Sequence, residues 1–203
     1  DEWRLAATIP TVKFVAARAD KLVIVSHRGR PDGKNNASLS LRKDAALLKK
    51  LLKRPVAFIP HFRFAEIAET IRRAPRHSIF LLENIRFVKG EDDNDPKLGR
   101  SLAGLADYYV NDSFAVDHRA NASTVAITKF LPSYAGLELE KEISFLSGTL
   151  KRPKQPLVMI IGGAKVYDKL GVIEQFRKKA KAVLVGGGSA NTLLLLKGVD
   201  VGS

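Results

Sequence analysis

The chain has 203 residues, 45% of them hydrophobic and 27% charged, the balance of a folded globular protein rather than a disordered one. It contains no cysteine, which excludes disulfides and thiolate chemistry, and its four histidines show no zinc-site spacing, so no metal held by protein side chains alone is expected. The formal net charge of +13 creates a positive field that favours polyanions, either nucleic acid or small phosphorylated molecules.

Read in chain order, the sequence opens directly into a helical pattern with no strand before it. The apolar run Leu22–Val25 predicts a buried strand, and Ser26-His27-Arg28-Gly29-Arg30-Pro31-Asp32-Gly33 follows at its carboxyl end. Leu41, Ala45, Leu48 and Leu52 then fall on one helical face, although most of the cations around them (Arg42, Lys43, Lys49, Lys50, Lys53, Arg54) read as a solvated surface. Val56–Ile59 predicts a second strand, and Phe64, Ile67, Ala68 and Ile71 a second helical stripe. Ile79–Leu82 predicts a third strand that runs into Leu81-Leu82-Glu83-Asn84-Ile85-Arg86-Phe87, and Tyr108–Val110 a fourth, followed by Asn111-Asp112-Ser113-Phe114-Ala115-Val116-Asp117-His118-Arg119-Ala120-Asn121.

Leu139, Ile143, Leu146 and Leu150 share a face of a connector helix, which ends at Lys151-Arg152-Pro153-Lys154-Gln155-Pro156. A second α/β unit is expected from there, with strands at Leu157–Ile161 and Ala182–Val185 and a helical stripe of Val166, Leu170, Ile173 and Phe176. The expected boundaries are a first domain over 1–136, a helix and linker over 137–152, and the beginning of another domain over 153–203. Strand–helix alternation with near-continuous apolar strands predicts a parallel α/β fold with helices on both faces. A sheet that has only begun at Ser203 would leave apolar faces uncovered, so a piece of a larger protein is expected.

Ligands of parallel α/β sheets bind at the carboxyl ends of the strands. His27, Arg28 and Arg30 around Gly29, then Arg86, then His118 and Arg119, stand after three such strands and are expected at one edge of one sheet. Arginine suits a phosphate or carboxylate because its planar fork holds two oxygens at once. In the second unit Gly162-Gly163-Ala164-Lys165 followed by Lys169 reads as strand, tight turn and helix N-terminus, where free N–H groups and two lysines four apart would welcome a phosphate chain. It is not a Walker A loop, and on this segment alone an ordinary turn with two solvated lysines reads equally well. Gly186-Gly187-Gly188 after the last strand would let a flat ring or phosphate approach the backbone.

Taken in order, these motifs resemble the phosphoglycerate kinase family over essentially the whole chain. The stretches that carry the resemblance are Asp1 through Leu5 with Pro10-Thr11, Ser26 through Pro31, Leu82 through Phe87, Asn111 through Phe114 with His118-Arg119, Gly162 through Val166 with Lys169, and Gly186 through Gly188. The resemblance implies a two-lobed α/β kinase with parallel, Rossmann-like sheets, of which an incomplete N-terminal lobe and the start of a C-terminal lobe are present. It implies reversible phosphoryl transfer between ATP and the carboxylate of 3-phosphoglycerate, with Mg2+ carried by ATP or ADP.

By position, Arg4 and Lys165 would be catalytic, beside the transferring phosphoryl group, and Arg4, His27, Arg28, Gly29, Arg30, Arg86 and Arg119 would line the 3-phosphoglycerate site. Gly162, Gly163, Lys165, Lys169 and Gly187 would meet the nucleotide. A monomeric, cytoplasmic enzyme acting on small molecules follows from the resemblance, with no membrane and no specific nucleic-acid partner. Departures from the family pattern are Arg28 at a usually apolar position, Ala115-Val116-Asp117 in place of a glycine and small polar run, and Asn121 in place of a frequent histidine. The family's opening Arg-Val-Asp-Phe-Asn strand and the later nucleotide domain with its acidic residues are not in the sequence, so the fragment alone is expected to be inactive. The competing readings are a phosphometabolite-binding protein without catalysis and a basic nucleic-acid-binding module, the latter without any recognised reader motif.

Overall fold

A computed structural model describes residues 2–163 and 167–202, with the side chains at 150 and 167–169 outside the description. The chain divides into two compact units, Asp1–Glu142 and Ile143–Ser203.

In the first unit, helix α1 (Glu2–Ala16) precedes strand β1 (Lys21–Ile24), and a loop with one 3-10 turn leads to helix α2 (Arg42–Leu52). Strand β2 (Ala57–Ile59), helix α3 (Phe64–Arg73), strand β3 (Ser78–Leu82), helix α4 (Pro96–Ala103), strand β4 (Tyr109–Asn111) and strand β5 (Ser133–Ala135) follow. Helix α5 (Leu137–Lys151) crosses the division between the units.

β3 lies between β1 and β2 in a parallel three-stranded sheet. Its alternate residues face opposite ways, as the two-residue period of a strand requires. Phe80 and Leu82 pack with Ile59, Ile67 and Ile71 on the α3 side. Ile79 packs with Val12, Ala16 and Leu52, and Leu81 with Leu41, Ala45 and Leu48, so α1 and α2 cover the other face. Each fully buried Leu or Ile contributes about 1.5–3 kcal/mol. A further cluster joins Ile85, Leu98, Leu102, Ala122, Ala126 and Ile127, and so packs α4 against the segment after Arg119.

The single sheet expected from the sequence is not continuous. β4 pairs in parallel with β5 in a separate two-stranded sheet, so the third cation-bearing strand end stands on a different sheet from the first two. β5 was not legible because Ser133-Tyr134-Ala135 is short and exposed, joined to β4 by backbone pairing.

Helix α5 begins where two side chains cap it. Asp112 Oδ1 accepts from the amides of Glu138 (2.9 Å) and Leu139 (3.0 Å), and Thr11 Oγ1 from that of Leu137 (3.0 Å). Gly136 permits this approach, because a Cβ there would lie 2.3 Å from Asp112 Oδ1. Of the expected α5 stripe Leu139 is buried, Ile143 and Leu146 are exposed, and the Leu150 side chain lies outside the described residues. Only the first turns of α5 belong to the first unit, so its core covers no more than the start of the stripe.

The second unit holds strand β6 (Val158–Ile161), helix α6 (Tyr167–Phe176), strand β7 (Ala182–Val185) and helix α7 (Gly187–Leu196), with β6 and β7 parallel. Burial on β6 and β7 is one-sided, with Val158, Ile160 and Leu184 exposed. Within the α6 stripe Phe176 is buried and Leu170 exposed, and Val166 lies outside the described residues.

Candidate functional site

Two strand ends of the first unit are laced together before any cation is placed. The Ile85 amide donates to the Ser26 carbonyl (3.1 Å), joining the residues after β3 to those after β1. Asn84 is fully buried, and its side chain holds three segments at once. Its Nδ2 donates to the carbonyls of Arg28 (2.8 Å) and Leu39 (3.0 Å), and its Oδ1 caps the next turn through the Arg86 amide. Glu83, also buried, accepts from the Leu41 and Asn84 amides and the Ser40 hydroxyl, satisfying free donors at the start of α2. These two residues were read only as part of a motif. The available signal was a polar pair directly continuing an apolar strand.

Arg86 is the centre of the site. It is 6% exposed, its Nη1 donates to the Gly29 carbonyl (2.7 Å), and its Nε lies 3.5 Å from Asp92 Oδ1. Gly29 takes a left-handed φ of 63°, and a Cβ there would press on Leu39 at 2.9 Å, so this turn favours glycine. The backbone contact and the carboxylate fix the guanidinium plane without enclosing it among carboxylates.

His27 records what surrounds it. Burial, then the positive charges of Arg86 and Arg119, hold its imidazole below the ordinary value, against an opposing pull from Asp92. Asp92 Oδ1, 3.5 Å from Arg86 Nε, also accepts from Asn121 Nδ2 (2.9 Å), so the segment bearing Arg119 is tied to the end of β3 even though the sheet is split. The neutral imidazole is the favoured form near pH 7. Arg119 follows the 3-10 turn Phe114–Val116, and its Nε donates to His118 Nε2 (3.1 Å).

The remaining expected substrate residues have other surroundings. Arg28 Nη2 lies 2.6 Å from Asp44 Oδ1 on α2, so this cation is neutralised by a helix sixteen residues along. Arg30 is exposed on the loop after β1, and Arg4 is exposed on α1 with its guanidinium 5.4 Å from the Trp3 ring centre. Asn121, the departure from the family pattern, is buried, and its Nδ2 donates to Asp92 Oδ1 (2.9 Å) and the Glu91 carbonyl (3.2 Å). Its Oδ1 has no partner among the described residues.

In the second unit, Gly162 and Gly163 follow β6 with their backbone exposed, and the Gly163 carbonyl accepts from both the amide (3.0 Å) and hydroxyl (2.9 Å) of buried Ser189. The Gly186 amide donates to the Ile161 carbonyl, and Gly187 opens α7 with a φ of 62°. The two glycine segments are therefore tied at adjacent strand ends, and Ser189 is a tie that no motif announced. Lys165 and the Lys169 side chain lie outside the described residues, and the Lys169 backbone belongs to the first turn of α6.

Among the described residues no group of three His, Asp or Glu side chains could hold a metal ion. No described helix is long and apolar enough to cross a membrane.

The sequence pattern of the phosphoglycerate kinase family matches residues 1–203. A phosphoglycerate kinase of Desulforapulum autotrophicum is 46% identical and one of Thermosipho africanus 42% identical, each covering all of this chain, which in turn covers 52% and 50% of them. The solved structure of phosphoglycerate kinase from Coxiella burnetii superposes with a TM-score of 0.82 at 34% identity, covering all of this chain and 51% of its own. That from Pyrococcus horikoshii OT3 gives 0.83 at 33%, covering 98% of this chain and 51% of its own. The chain spans about half the length of the curated relatives it matches. With every residue inside the family pattern and the fold shared with solved members, the chain belongs to the phosphoglycerate kinase family.

Proposed function

We propose that this chain supplies the 3-phosphoglycerate side and the start of the nucleotide side of an ATP-dependent phosphoglycerate kinase. The observation that carries the reading is the gathering of His27, Arg86 and the segment bearing Arg119 from three strand ends, with Asp92 Oδ1 3.5 Å from Arg86 Nε and 2.9 Å from Asn121 Nδ2. A doubly charged phosphate and a carboxylate on one small acid match two guanidinium groups and a neutral imidazole donor. Arg86, held by Gly29 and Asp92, keeps further N–H donors for the ligand, and Arg119 and Arg30 supply the rest. Arg28 acts through its pairing with Asp44, bracing the loop.

In this reading the reacting group of 3-phosphoglycerate is its carboxylate, already ionised at neutral pH, so no general base is needed. The residues have to align donor and acceptor and neutralise charge on the moving phosphoryl group. Arg4 and Lys165 take that role. Gly162, Gly163, Lys169 and Gly187 hold the nucleotide, whose phosphates would carry the magnesium ion. The family's place in glycolysis supports a cytoplasmic enzyme, and a monomer suffices because every proposed group lies on one chain. Reaction in both directions, and inactivity of this half-length chain by itself, belong to the same proposal.

Calorimetric titration of 3-phosphoglycerate into the chain tests the binding half. Arg86→Ala should weaken binding roughly tenfold or more, the worth of a charge-assisted contact. Arg54→Ala, which removes an exposed cation bonded to the His77 carbonyl, should leave it unchanged. Equal losses in both variants would reduce the site to general positive charge. In the complete enzyme, Arg4→Ala should lower kcat far more than it weakens ATP binding, and unaltered turnover would remove Arg4 from the chemistry.

A further inference from the structure

We propose that Glu91 is a positioning residue, the buried anchor that holds the Arg119-bearing segment in reach of Arg86 and His27; this rests on the reading of that site as the 3-phosphoglycerate pocket. Glu91 is 4% exposed and belongs to none of the motifs above. Both carboxylate oxygens are engaged by one residue, with Oε2 accepting from the Ser123 amide (3.0 Å) and Oε1 from its hydroxyl (2.6 Å). The Glu91 carbonyl accepts from the Ala122 amide (2.9 Å) and from Asn121 Nδ2 (3.2 Å). Four hydrogen bonds to a single residue thus fix 121, 122 and 123, beginning two positions after Arg119.

The adjacent Asp92 extends the anchor to the other cation. Its Oδ1 receives Asn121 Nδ2 at 2.9 Å and lies 3.5 Å from Arg86 Nε. The turn at 91–92 therefore ties the arginine after β3 to the segment carrying the arginine after β4. That tie matters because β4 is not in the sheet that carries β1 and β3, so strand pairing does not set the spacing of the two guanidinium groups. A carboxylate desolvated for packing alone would be a poor choice, since an apolar side chain of similar volume fills such a place without loss. A rigid, two-oxygen clamp on a loop has a use where a misplacement of about 1 Å weakens a charged contact severely.

The test is the dissociation constant of 3-phosphoglycerate for the chain and its variants, measured below each variant's unfolding transition. Glu91→Ala should raise it roughly tenfold, as expected when one of two guanidinium contacts is displaced. Glu91→Gln can still accept from the Ser123 amide and donate to its hydroxyl, and should restore affinity to within roughly threefold of the parent. Ser123→Ala keeps the amide contact, gives a milder loss, and serves if Glu91→Ala does not fold. His27 provides an independent readout. With Arg119 displaced, its imidazole pKa should rise towards the ordinary value in Glu91→Ala and not in Glu91→Gln. Parent-like affinity in both Glu91→Ala and Ser123→Ala, or a loss that Gln does not rescue, overturns the anchor. If the parent chain itself fails to bind 3-phosphoglycerate, the pocket reading falls instead, and an unmoved His27 in Glu91→Ala then overturns the anchor separately.

Discussion

β3 in the first unit and β6 in the second are almost equally apolar, one reading Ser-Ile-Phe-Leu-Leu and the other Val-Met-Ile-Ile. Yet Ile79 to Leu82 are all buried, while Ile160 is 81% exposed. The difference lies in what surrounds each strand. β3 has a strand on each side and helices over both faces, whereas β6 has one strand partner and cover on one face only among the described residues. An apolar run therefore says that a strand can be covered twice, and the stripes of other elements decide whether it is.

That contrast can be broken by mutation. Leu82→Ala, at a fully buried site facing α3, should destabilise the first unit by about 2–5 kcal/mol in urea unfolding. A small loss would show that this core is loosely packed. Glu83→Ala leaves the Leu41 and Asn84 amides without their acceptor, and should lower stability by about 1–3 kcal/mol through α2 and the Arg28 loop together. Asp112→Ala removes the acceptor at the start of α5, a change of about 1 kcal/mol, moderated because Asp112 Oδ2 is already buried without a partner among the described residues. Ile160→Ala should change stability by no more than about 0.5 kcal/mol, as an exposed side chain should. A loss as large as that of Leu82→Ala would mean that Ile160 is covered in solution, and the comparison between the units would fail.

Acid sharpens the same comparison at the site. The folded first unit holds the His27 pKa below its unfolded value of about 6.5. Between those two values the unfolded chain binds more protons, so stability falls as pH drops through that window and returns as pH rises. His27→Asn should flatten that part of the stability–pH curve. Glu91 works in the opposite sense, since burial raises its pKa and makes its ionised form costlier in the fold than in the unfolded chain.

Much of the architecture was legible because helix and strand periods are local. Leu41, Ala45, Leu48 and Leu52 announced the buried face of α2, and Ile67 and Ile71 that of α3. The site was legible in part, through cations placed after strands. What the sequence concealed was polar and distant. Glu83, Asn84, Glu91 and Asn121 belong to types usually found at the surface, and their partners stand up to fifty-six residues away. The pairing of Arg28 with Asp44 on α2 was equally hidden, since the two stand sixteen residues apart. The exposed Ser-Tyr-Ala of β5 carried no periodic signal at all.

The most direct test of the anion pocket is the titration of the His27 imidazole by NMR, with and without 3-phosphoglycerate. The account predicts a pKa below about 6.5 in the free chain and a clear rise when the anion binds among His27, Arg86 and Arg119. A His27 pKa that does not move at saturating ligand would contradict it.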